Sequence, residues 1–271
     1  MNIDFSIIVV CLNPKDKLRQ TLNSISGQDY SDYEVIIKDG GSTDGSLSCV
    51  DEFPNMNISV YSSKDNGIYD AMNTAVTYAK GKFVYFLNCG DYFKNETVLS
   101  DVRLSMDAFD LENNKCIFYG NIFERMTGTK VQSNPKINGF ACYRNLPCHQ
   151  ACFYSRQLLL EHPFETQYKI RADYEQFVWC FYIANAEFNY VDITVADYEG
   201  GGFSETEENL KLSANEHRII TKKYMSLTEL FKYKFILFIT LSKVRTKLSK
   251  NPKTAAFYNK MKGLLYKNRQ K

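Results

Sequence analysis

Two acidic, glycine-rich segments each follow directly after an apolar run that is typical of a buried strand. The first spans 38–45 (KDGGSTDG) and follows 33–37, and the second spans 88–91 (NCGD) and follows 82–87. In an open α/β sheet, ligands bind beyond the carboxyl ends of the strands, so carboxylates in such loops face a cleft. Two of them could hold a nucleotide together with the metal ion that accompanies its diphosphate. The pattern therefore favours an enzyme that handles a nucleotide-activated substrate.

The elements that must position these loops alternate between strand and helix. Apolar runs predict strands at 5–12, 33–37, 58–61 and 82–87. Apolar residues at helical spacing predict two helices, of which one ends at Gly27 and the other runs from 68 to 80 and ends at Gly81. Such alternation predicts a parallel sheet with right-handed crossovers. The second half is predicted to be mixed, with a helix near 96–109 and strands near 116–123 and 193–198.

These segments, in this order, resemble family 2 glycosyltransferases of the GT-A fold, which build bacterial polysaccharides. The matching pieces cover about residues 3–204 and are SIIVVCLN, EVIIKDGGSTDGS, SSKDNGIYDAMNTAV, GKFVYFLNCGD, the His149-Gln150 pair, YKIRADYEQF and GGGFS. The resemblance implies an α/β, Rossmann-like GT-A fold with a mostly parallel central sheet flanked by helices, and we expect a C-terminal helical tail after it. We divide the chain accordingly into a catalytic domain (1–221) and a tail (222–271). Within the domain, about 1–105 would bind the nucleotide-sugar and about 106–221 the acceptor.

The resemblance implies a metal site at Asp91. The D-x-D metal motif of the family reads Asn88-Cys89-Gly90-Asp91 here, so the last acid alone remains. A single carboxylate, with diphosphate oxygens and waters, suits Mn²⁺ or Mg²⁺, because Mg²⁺ usually keeps several waters and takes few protein ligands. The ion would offset charge on the departing nucleoside diphosphate. Gly90 stands where a second acid often contacts the ribose, and an ordinary turn at the end of a strand is the alternative for Asp91.

The resemblance also implies contacts with the nucleotide-sugar. Asp39 would accept a hydrogen bond from an N–H of the base, which an ionised carboxylate does well. Its Asp-Gly-Gly sequence is equally compatible with an Asx-turn, and Asp44 could cap a helix that begins near Ser46. Capping is likewise the alternative for the acidic and amide residues between 65 and 73. The remaining implied contacts are Cys11, Asn13, Asp65, Gly67, Asp70, Asn73 and Gly90.

For the chemical step, the resemblance implies that Asp173 is the general base that deprotonates the acceptor hydroxyl. Helix capping is the alternative for Asp173, and Glu175 is a rival for the role of base. His149 and Gln150 would contact the diphosphate or the acceptor. The implied reaction is an inverting, single-displacement transfer of a sugar, with UDP favoured as the nucleotide, to a hydroxyl of a saccharide or lipid-linked acceptor. No Gln-x-x-Arg-Trp pattern is present, which predicts transfer of one sugar per encounter.

The tail has an unusual charge. Residues 222–271 contain fourteen lysines and arginines and one acid, Glu229, so the net charge of +2 combines a basic tail with an acidic remainder. The apolar run at 230–241 is shorter than the roughly twenty residues that span a bilayer. A basic amphipathic helix on an anionic membrane surface fits this pattern, and a helical pair packed on the catalytic domain is the alternative. We therefore expect a cytoplasmic protein at the inner face of the cell membrane.

Other classes fit less well. The eight cysteines include no CxxC pair, which is typical of a reduced, cytosolic protein, and Cys142, Cys148, His149 and Cys152 have no common zinc-finger spacing. No signal-peptide pattern is evident. The first strand is followed by neither a basic glycine-rich loop nor G-x-G-x-x-G, which argues against a nucleotidyltransferase and a dinucleotide dehydrogenase. No nucleic-acid-binding motif is present. A non-catalytic nucleotide-sugar-binding subunit is the alternative function, and the oligomeric state stays open.

Overall fold

The computed structural model describes residues 3–107, 115–200, 207–240, 245–246, 248–249 and 251–270. The strands in this part of the chain are β1 (Phe5–Cys11), β2 (Tyr33–Asp39), β3 (Ile58–Ser62), β4 (Phe83–Phe86), β5 (Tyr92–Phe93), β6 (Cys116–Glu124), β7 (Thr129–Val131), β8 (Cys152–Ser155) and β9 (Glu187–Tyr198). They form one sheet in the order β3-β2-β1-β4-β8-β6-β9-β5, with β7 paired to β6.

Helices cover both faces of this sheet and form the C-terminal region. They are α1 (Asp16–Ser26), α2 (Ile68–Tyr78), α3 (Val98–Met106), α4 (Gly139–Arg144), α5 (Arg156–Glu161), α6 (Ala172–Tyr182), α7 (Glu207–Tyr224), α8 (Leu227–Ile239) and α9 (Pro252–Gln270). Short 3₁₀ turns lie at Ser46–Glu52 and His149–Ala151. The predicted α/β class with a helical C-terminal region is confirmed.

The first half of the sheet is parallel, as predicted. β1 pairs in parallel with both β2 and β4, and β2 pairs in parallel with β3. The β1–β2 register runs from Phe5 opposite Tyr33 to Cys11 opposite Asp39, so both strands end at the same edge. These strands are buried on both faces, which explains why their sequences read as continuous apolar runs rather than as alternation. The polar loops that follow them therefore meet at one edge.

The second half of the sheet is mixed. β8 is antiparallel to β4 and β6, whereas β9 runs parallel to β6 and antiparallel to β5. β9 begins at Glu187, six residues before the predicted start at 193. The prediction missed these residues because most positions of the strand are half-buried, so its sequence does not show a clear alternation. The predicted helix near 96–109 is α3, and the end of that prediction falls outside the described residues. α2 ends at Tyr78, two residues before the predicted end at 80. The glycine that follows, Gly81, packs against β1, because a Cβ on it would lie 2.6 Å from the backbone N of Ser6.

The C-terminal helices pack on the rest of the chain with part of their surface. Leu230 and Tyr233 of α8 are buried in a cluster with residues of α4 and α6. On α9, Asn259 Nδ2 donates to Thr129 Oγ1 at 2.8 Å, and Lys262 Nζ donates to the Gln132 carbonyl at 2.8 Å. Among the described residues, no helix combines the length and the hydropathy that a bilayer-spanning segment requires.

Another face of the same two helices stays exposed. Phe231 and Phe238 of α8 are 76% and 80% exposed, and Phe257 of α9 is 72% exposed. Further exposed apolar residues on these helices are Leu227, Phe235, Ile239, Met261, Leu264 and Leu265. The structure thus contains the packed helical pair that was the alternative interpretation of the tail, and it leaves an apolar surface uncovered.

Candidate active site

A cleft of about 810 Å³ lies beyond the carboxyl end of β4. It is lined by residues from widely separated parts of the chain: Asp91 after β4, His149 and Gln150 in the 3₁₀ turn, Asp173 at the start of α6, and Glu199 after β9. Four of the predicted site residues, Asp91, His149, Gln150 and Asp173, therefore line the same cleft.

Asp91 is almost fully buried at the base of this cleft, with 4% of its surface exposed. Its Oδ1 accepts the backbone N–H of Glu199 at 2.9 Å, and its Oδ2 lies 3.4 Å from Gln150 Nε2. The Arg125 guanidinium approaches Oδ1 to 3.8 Å. Burial raises the pKa of Asp91 to about 6, although the Glu199 N–H and Arg125 favour its charged form. A further cation beside Asp91 would favour its ionised state.

The loop that carries Asp91 is fixed by Thr21 of α1. Thr21 Oγ1 donates to the Asp91 carbonyl at 3.1 Å and accepts the Gly90 N–H at 2.9 Å. Gly90 has a φ of +97°, and a Cβ there would lie 3.1 Å from Glu199 Oε2 and from Lys17 Cδ. The carboxylate of Glu199, which pairs with Lys17 Nζ at 2.6 Å, thus lies next to the place where the side chain of an acid at position 90 would start.

Asp173 occupies the first turn of α6, and its side chain is held by Tyr69. The Tyr69 hydroxyl lies 2.9 Å from Asp173 Oδ1 and 2.9 Å from the Ile170 carbonyl. The N-cap residue of α6 is Arg171, so the interpretation of Asp173 as an N-cap is wrong. Asp173 Oδ2 accepts no hydrogen bond from the described residues, which leaves one carboxylate oxygen available to a ligand.

Glu175, the rival acid, is fully buried and does not line the cleft. It accepts from Lys223 Nζ at 2.8 Å and from the Tyr224 hydroxyl, and it lies 2.9 Å from His162 Nε2. Burial alone would raise the pKa of Glu175, but these hydrogen bonds outweigh burial and lower it. Glu175 therefore joins α6 to α7 and is not positioned to act as the base.

The ligand atoms of His162, Glu165 and Glu175 lie within 4.8 Å of one another, a spacing that could suit a metal. However, Lys223 Nζ pairs with both acids of this group and offsets their charge. None of the three residues lines the cleft. The group is therefore explained as an ion-pair cluster between helices.

His149 presents two unsatisfied polar atoms at the cleft. Both ring nitrogens are buried and have no hydrogen-bond partner among the described residues, and the same holds for Asn88 Oδ1. The ring stacks on Phe86 at 5.1 Å between centroids, and burial lowers the pKa of His149. Buried polar atoms are seldom left unpaired in native proteins, so a water molecule or a ligand atom is expected to pair with them. The described residues show no zinc cluster of His149 with neighbouring cysteines.

Asp39 is fully buried within its own loop and does not line the cleft. Its carboxylate accepts the backbone N–H groups of Gly41 and Ser42 at about 3.0 Å, the hydroxyl of Ser62 at 2.6 Å, and the Cys11 thiol at 3.8 Å. Burial opposes its ionisation, but the Ser42 and Ser62 hydrogen bonds outweigh burial and lower the pKa of Asp39. The structure thus shows the turn geometry that was the alternative for this residue.

The loops after β1 and β2 are joined to each other by side chains. Asn13 Oδ1 accepts the Thr43 N–H at 2.9 Å, and Asp44 accepts the Lys15 N–H at 2.9 Å and the Ser46 N–H at 3.1 Å. Asp44 thereby binds the first backbone N–H of the 3₁₀ turn, although the N-cap residue of this turn is Gly45.

The segment between β3 and α2 is also satisfied internally. Asp65 accepts the Gly67 N–H at 3.1 Å, and Asp70 accepts the Asn66 N–H at 2.8 Å. The Asn73 amide binds the backbone of Phe164 at both its oxygen and its nitrogen, each at 2.8 Å. The predicted nucleotide-sugar contacts that do not line the cleft are Cys11, Asn13, Asp39, Asp65, Gly67, Asp70, Asn73 and Gly90.

Comparison with known proteins identifies the family. The sequence model described as glycosyl transferase family 2 matches residues 6–161, more than half of the chain. The chain belongs to glycosyl transferase family 2. A PGL/p-HBAD biosynthesis glycosyltransferase of Mycobacterium bovis (strain BCG / Pasteur 1173P2) is 32% identical over 207 residues, which cover 74% of this chain and 79% of that protein. The resemblance inferred from the sequence is confirmed.

Solved structures of glycosyltransferases share the fold of this one. A fragment of S. aureus TarS in complex with UDP superposes with a TM-score of 0.62 at 23% identity, over 79% of this chain and 65% of that one. The match to a longer TarS chain covers 37% of its length. The mannosyltransferase PcManGT from Pyrobaculum calidifontis, in complex with GDP-Man and Mn²⁺, superposes with a TM-score of 0.57 at 15% identity, over 96% of this chain and 84% of that one.

The cleft of this glycosyltransferase offers the donor atoms that a divalent cation needs. The carboxylate of Asp91, the unpaired amide oxygen of Asn88 and the carboxylate of Glu199 all belong to its lining residues. Oxygen ligands of this kind are the hard donors that Mg²⁺ and Mn²⁺ prefer. The residues present therefore fit such an ion. Sequence reasoning missed Glu199, which follows a strand with weak patterning and belongs to none of the motifs that carried the resemblance.

Proposed function

We propose that this glycosyltransferase moves a sugar from a nucleotide-sugar donor, in particular a UDP-sugar, to a hydroxyl of a saccharide or lipid-linked saccharide, with inversion at the anomeric carbon. The observation that carries the proposal is that Asp91 and Asp173 line one cleft whose wall holds buried polar atoms that no described residue pairs. The UDP and UDP-GlcNAc complexes of the TarS fragment support UDP as the nucleotide.

In this proposal Asp173 is the general base. Tyr69 holds Oδ1 at 2.9 Å, so Oδ2 is the oxygen that receives the proton of the acceptor hydroxyl as that hydroxyl attacks the anomeric carbon. A hydrogen bond from Tyr69 stabilises the carboxylate and fixes its direction, and this reduces the reorganisation required at the moment of proton transfer.

The leaving nucleoside diphosphate would lie near Asp91, His149 and Gln150. Neither nitrogen of the His149 ring bonds to a described residue, and Lys169 and Arg171, which also line the cleft, would bring positive charge towards a diphosphate. Mn²⁺ or Mg²⁺, held by Asp91 with help from Asn88 and Glu199, would supply positive charge that offsets the charge of the diphosphate.

The base and ribose would lie towards the segments that follow β1, β2 and β3, together with Gly90 after β4, and we retain the eight predicted contacts as part of the proposal. For Asp39 to read an N–H of the base, the base must displace one of its present donors, such as the Ser62 hydroxyl at 2.6 Å. Binding of the nucleotide would then require a rearrangement of the 39–42 loop.

The test is binding and hydrolysis of a panel of nucleotide-sugars, with Mn²⁺ and with chelator, by the wild type and by Asp91→Asn. We expect release of nucleoside diphosphate from one donor, loss of release with chelator, and loss in the variant. Asp101→Asn is a matched control, because Asp101 lies on α3 and outside the cleft. Donor binding without release, even with a lipid-linked acceptor, would favour the non-catalytic binding subunit. If no nucleotide-sugar binds, the proposed function is wrong.

We further propose that α8 and α9 dock on an anionic membrane surface at the inner face of the cell membrane. The exposed phenylalanines would enter the interface while neighbouring lysines such as Lys232 and Lys234 meet the headgroups. We expect sedimentation with vesicles that contain anionic phosphatidylglycerol, and clear weakening by Phe231→Ser with Phe238→Ser. Leu104→Ser is the control, because Leu104 is 69% exposed on α3. Equal sedimentation of all three proteins would refute the docking surface.

A further inference from the structure

A second cavity, of about 790 Å³, lies between α4, α8, α9 and the β6–β7 hairpin. Three of its lining residues are cations from three different segments: Arg144 at the end of α4, Arg245, and Lys262 of α9. Apolar side chains, including Phe140 and Ile236, form another part of its wall. The cavity therefore combines positive charge with an apolar lining.

The cations of this cavity have neutral partners. Lys262 Nζ donates to the Gln132 carbonyl at 2.8 Å, Arg144 donates to Thr246 Oγ1 at 2.6 Å, and Arg245 donates to Thr240 Oγ1 at 3.2 Å. No carboxylate among the described residues lies within ion-pair distance of any of the three. Arg144 and Arg245 are exposed and Lys262 is half-buried, so an anion that enters the cavity would meet three cations that no described carboxylate pairs.

One acid, Glu124, is found among the described lining residues, and its carboxylate accepts a hydrogen bond from Thr127. It does not balance the three cations. Burial, together with the nearby Arg144, lowers the pKa of Lys262 to about 8, which shows that its charge is poorly compensated. An anionic ligand between these cations would restore the balance.

The cavity also connects two surfaces that the transferase would use. Arg144 lines both this cavity and the catalytic cleft. Met261 and Leu265 line the cavity and are 46% and 61% exposed, so they belong to the uncovered apolar surface of α9. A ligand with a phosphate and a hydrocarbon chain could therefore extend from that apolar surface towards the edge of the cleft.

We propose that this cavity binds the phosphate and the adjoining hydrocarbon of a lipid-linked acceptor, with Arg144, Arg245 and Lys262 contacting the phosphate. This inference rests on the proposed transfer of sugar to such an acceptor. A free phosphate would leave the apolar wall unused, and a neutral lipid would leave the cations unpaired. The arrangement therefore fits a single amphiphile that satisfies both parts of the cavity and directs its sugar towards Asp173.

The experiment uses the full chain and titration calorimetry with decyl phosphate below its critical micelle concentration. We expect decyl phosphate to bind at least about tenfold more tightly than either inorganic phosphate or decanol. Lys262→Gln and Arg144→Gln should each weaken it by about tenfold, since a hydrogen bond to a charged group is lost. Lys260→Gln, on the exposed side of the same helix, should bind as the wild type does. Equal binding of decanol, or equal binding by all variants, would overturn the proposal.

Two further measurements keep the result interpretable. Thermal melting checks that each variant is folded, and Arg144→Gln maintains the test if Lys262→Gln loosens α9, because Arg144 is exposed on another helix. UDP binding with Mn²⁺ is measured on the same preparation. Absence of UDP binding would contradict the proposed function, whereas UDP binding without selective binding of decyl phosphate would contradict the phosphate-lipid cavity alone.

Discussion

Replacement of Asp173 by asparagine isolates the proposed base, because it removes the charge while keeping the shape. The Tyr69 hydroxyl, 2.9 Å from Oδ1, can donate equally well to the amide oxygen of asparagine, so the side chain should stay in place. Loss of a general base costs about 10²–10⁴ in rate, or roughly 3–5 kcal/mol in the barrier. Loss of a negative charge in the first turn of α6 costs about 0.3–1 kcal/mol of stability, which corresponds to a Tm lower by roughly 1–4 °C.

The assay follows release of nucleoside diphosphate with saturating donor and acceptor, and donor affinity is measured separately by calorimetry. We expect kcat to fall at least 100-fold for Asp173→Asn, while the affinity for UDP stays within a factor of two of wild type. Asp16→Asn is the matched control, because Asp16 is an exposed acid in the first turn of α1 and lies outside the cleft. It should lose a similar small amount of stability and no activity. More than a tenth of wild-type turnover in Asp173→Asn would refute the role of Asp173.

Three other substitutions test the supporting structure. Tyr69→Phe removes the hydroxyl that directs the Asp173 carboxylate, so kcat should fall about 5–30-fold with unchanged affinity for UDP, and an unchanged kcat would contradict this role. Glu175→Gln should cost about 3 kcal/mol at pH 7 in urea unfolding, because it breaks a buried ion-pair cluster. Since the folded-state pKa of Glu175 is lowered, its stabilisation is present above pH 4.5 and is lost as the pH falls through the folded pKa, so the two unfolding curves should converge in acid. Gly81→Ala should lower the free energy of unfolding by about 2 kcal/mol, because the added Cβ would lie 2.6 Å from the backbone of β1. A stability equal to that of the wild type would show that this backbone shifts without cost.

The parallel half of the fold was predictable because its signals are local. Strands such as β1 and β2 are buried on both faces, and their apolar runs end at polar loops that the sequence itself displays. The mixed half was harder, because β9 alternates weakly and its partners are distant in the sequence. Its start was therefore placed six residues too late.

The site was predictable to the extent that it depends on motifs. Asp91, Asp173 and the His149-Gln150 pair stand in recognisable segments, and the structure brings them to one cleft. Arg125 and Glu199 reach Asp91 through the pairing of β6 with β9, which no local pattern reveals. The sequence alone did not decide whether Asp173 or Glu175 is the candidate base. The two acids lie on one turn of α6, but Asp173 lines the cleft and Glu175 is buried between helices.

The order of strands in the sheet has a consequence for synthesis of the chain. β5 precedes α3 in the sequence, yet it pairs with β9 at the far edge, beyond strands contributed by the second half. The Glu199 N–H that holds the Asp91 carboxylate lies 108 residues downstream of it. On the ribosome, the first hundred residues therefore emerge with β4 as an open edge, and the Asp91 carboxylate gains its hydrogen bond from the Glu199 N–H when β9 has docked. Two separately produced halves would have to interleave their strands to complete the sheet.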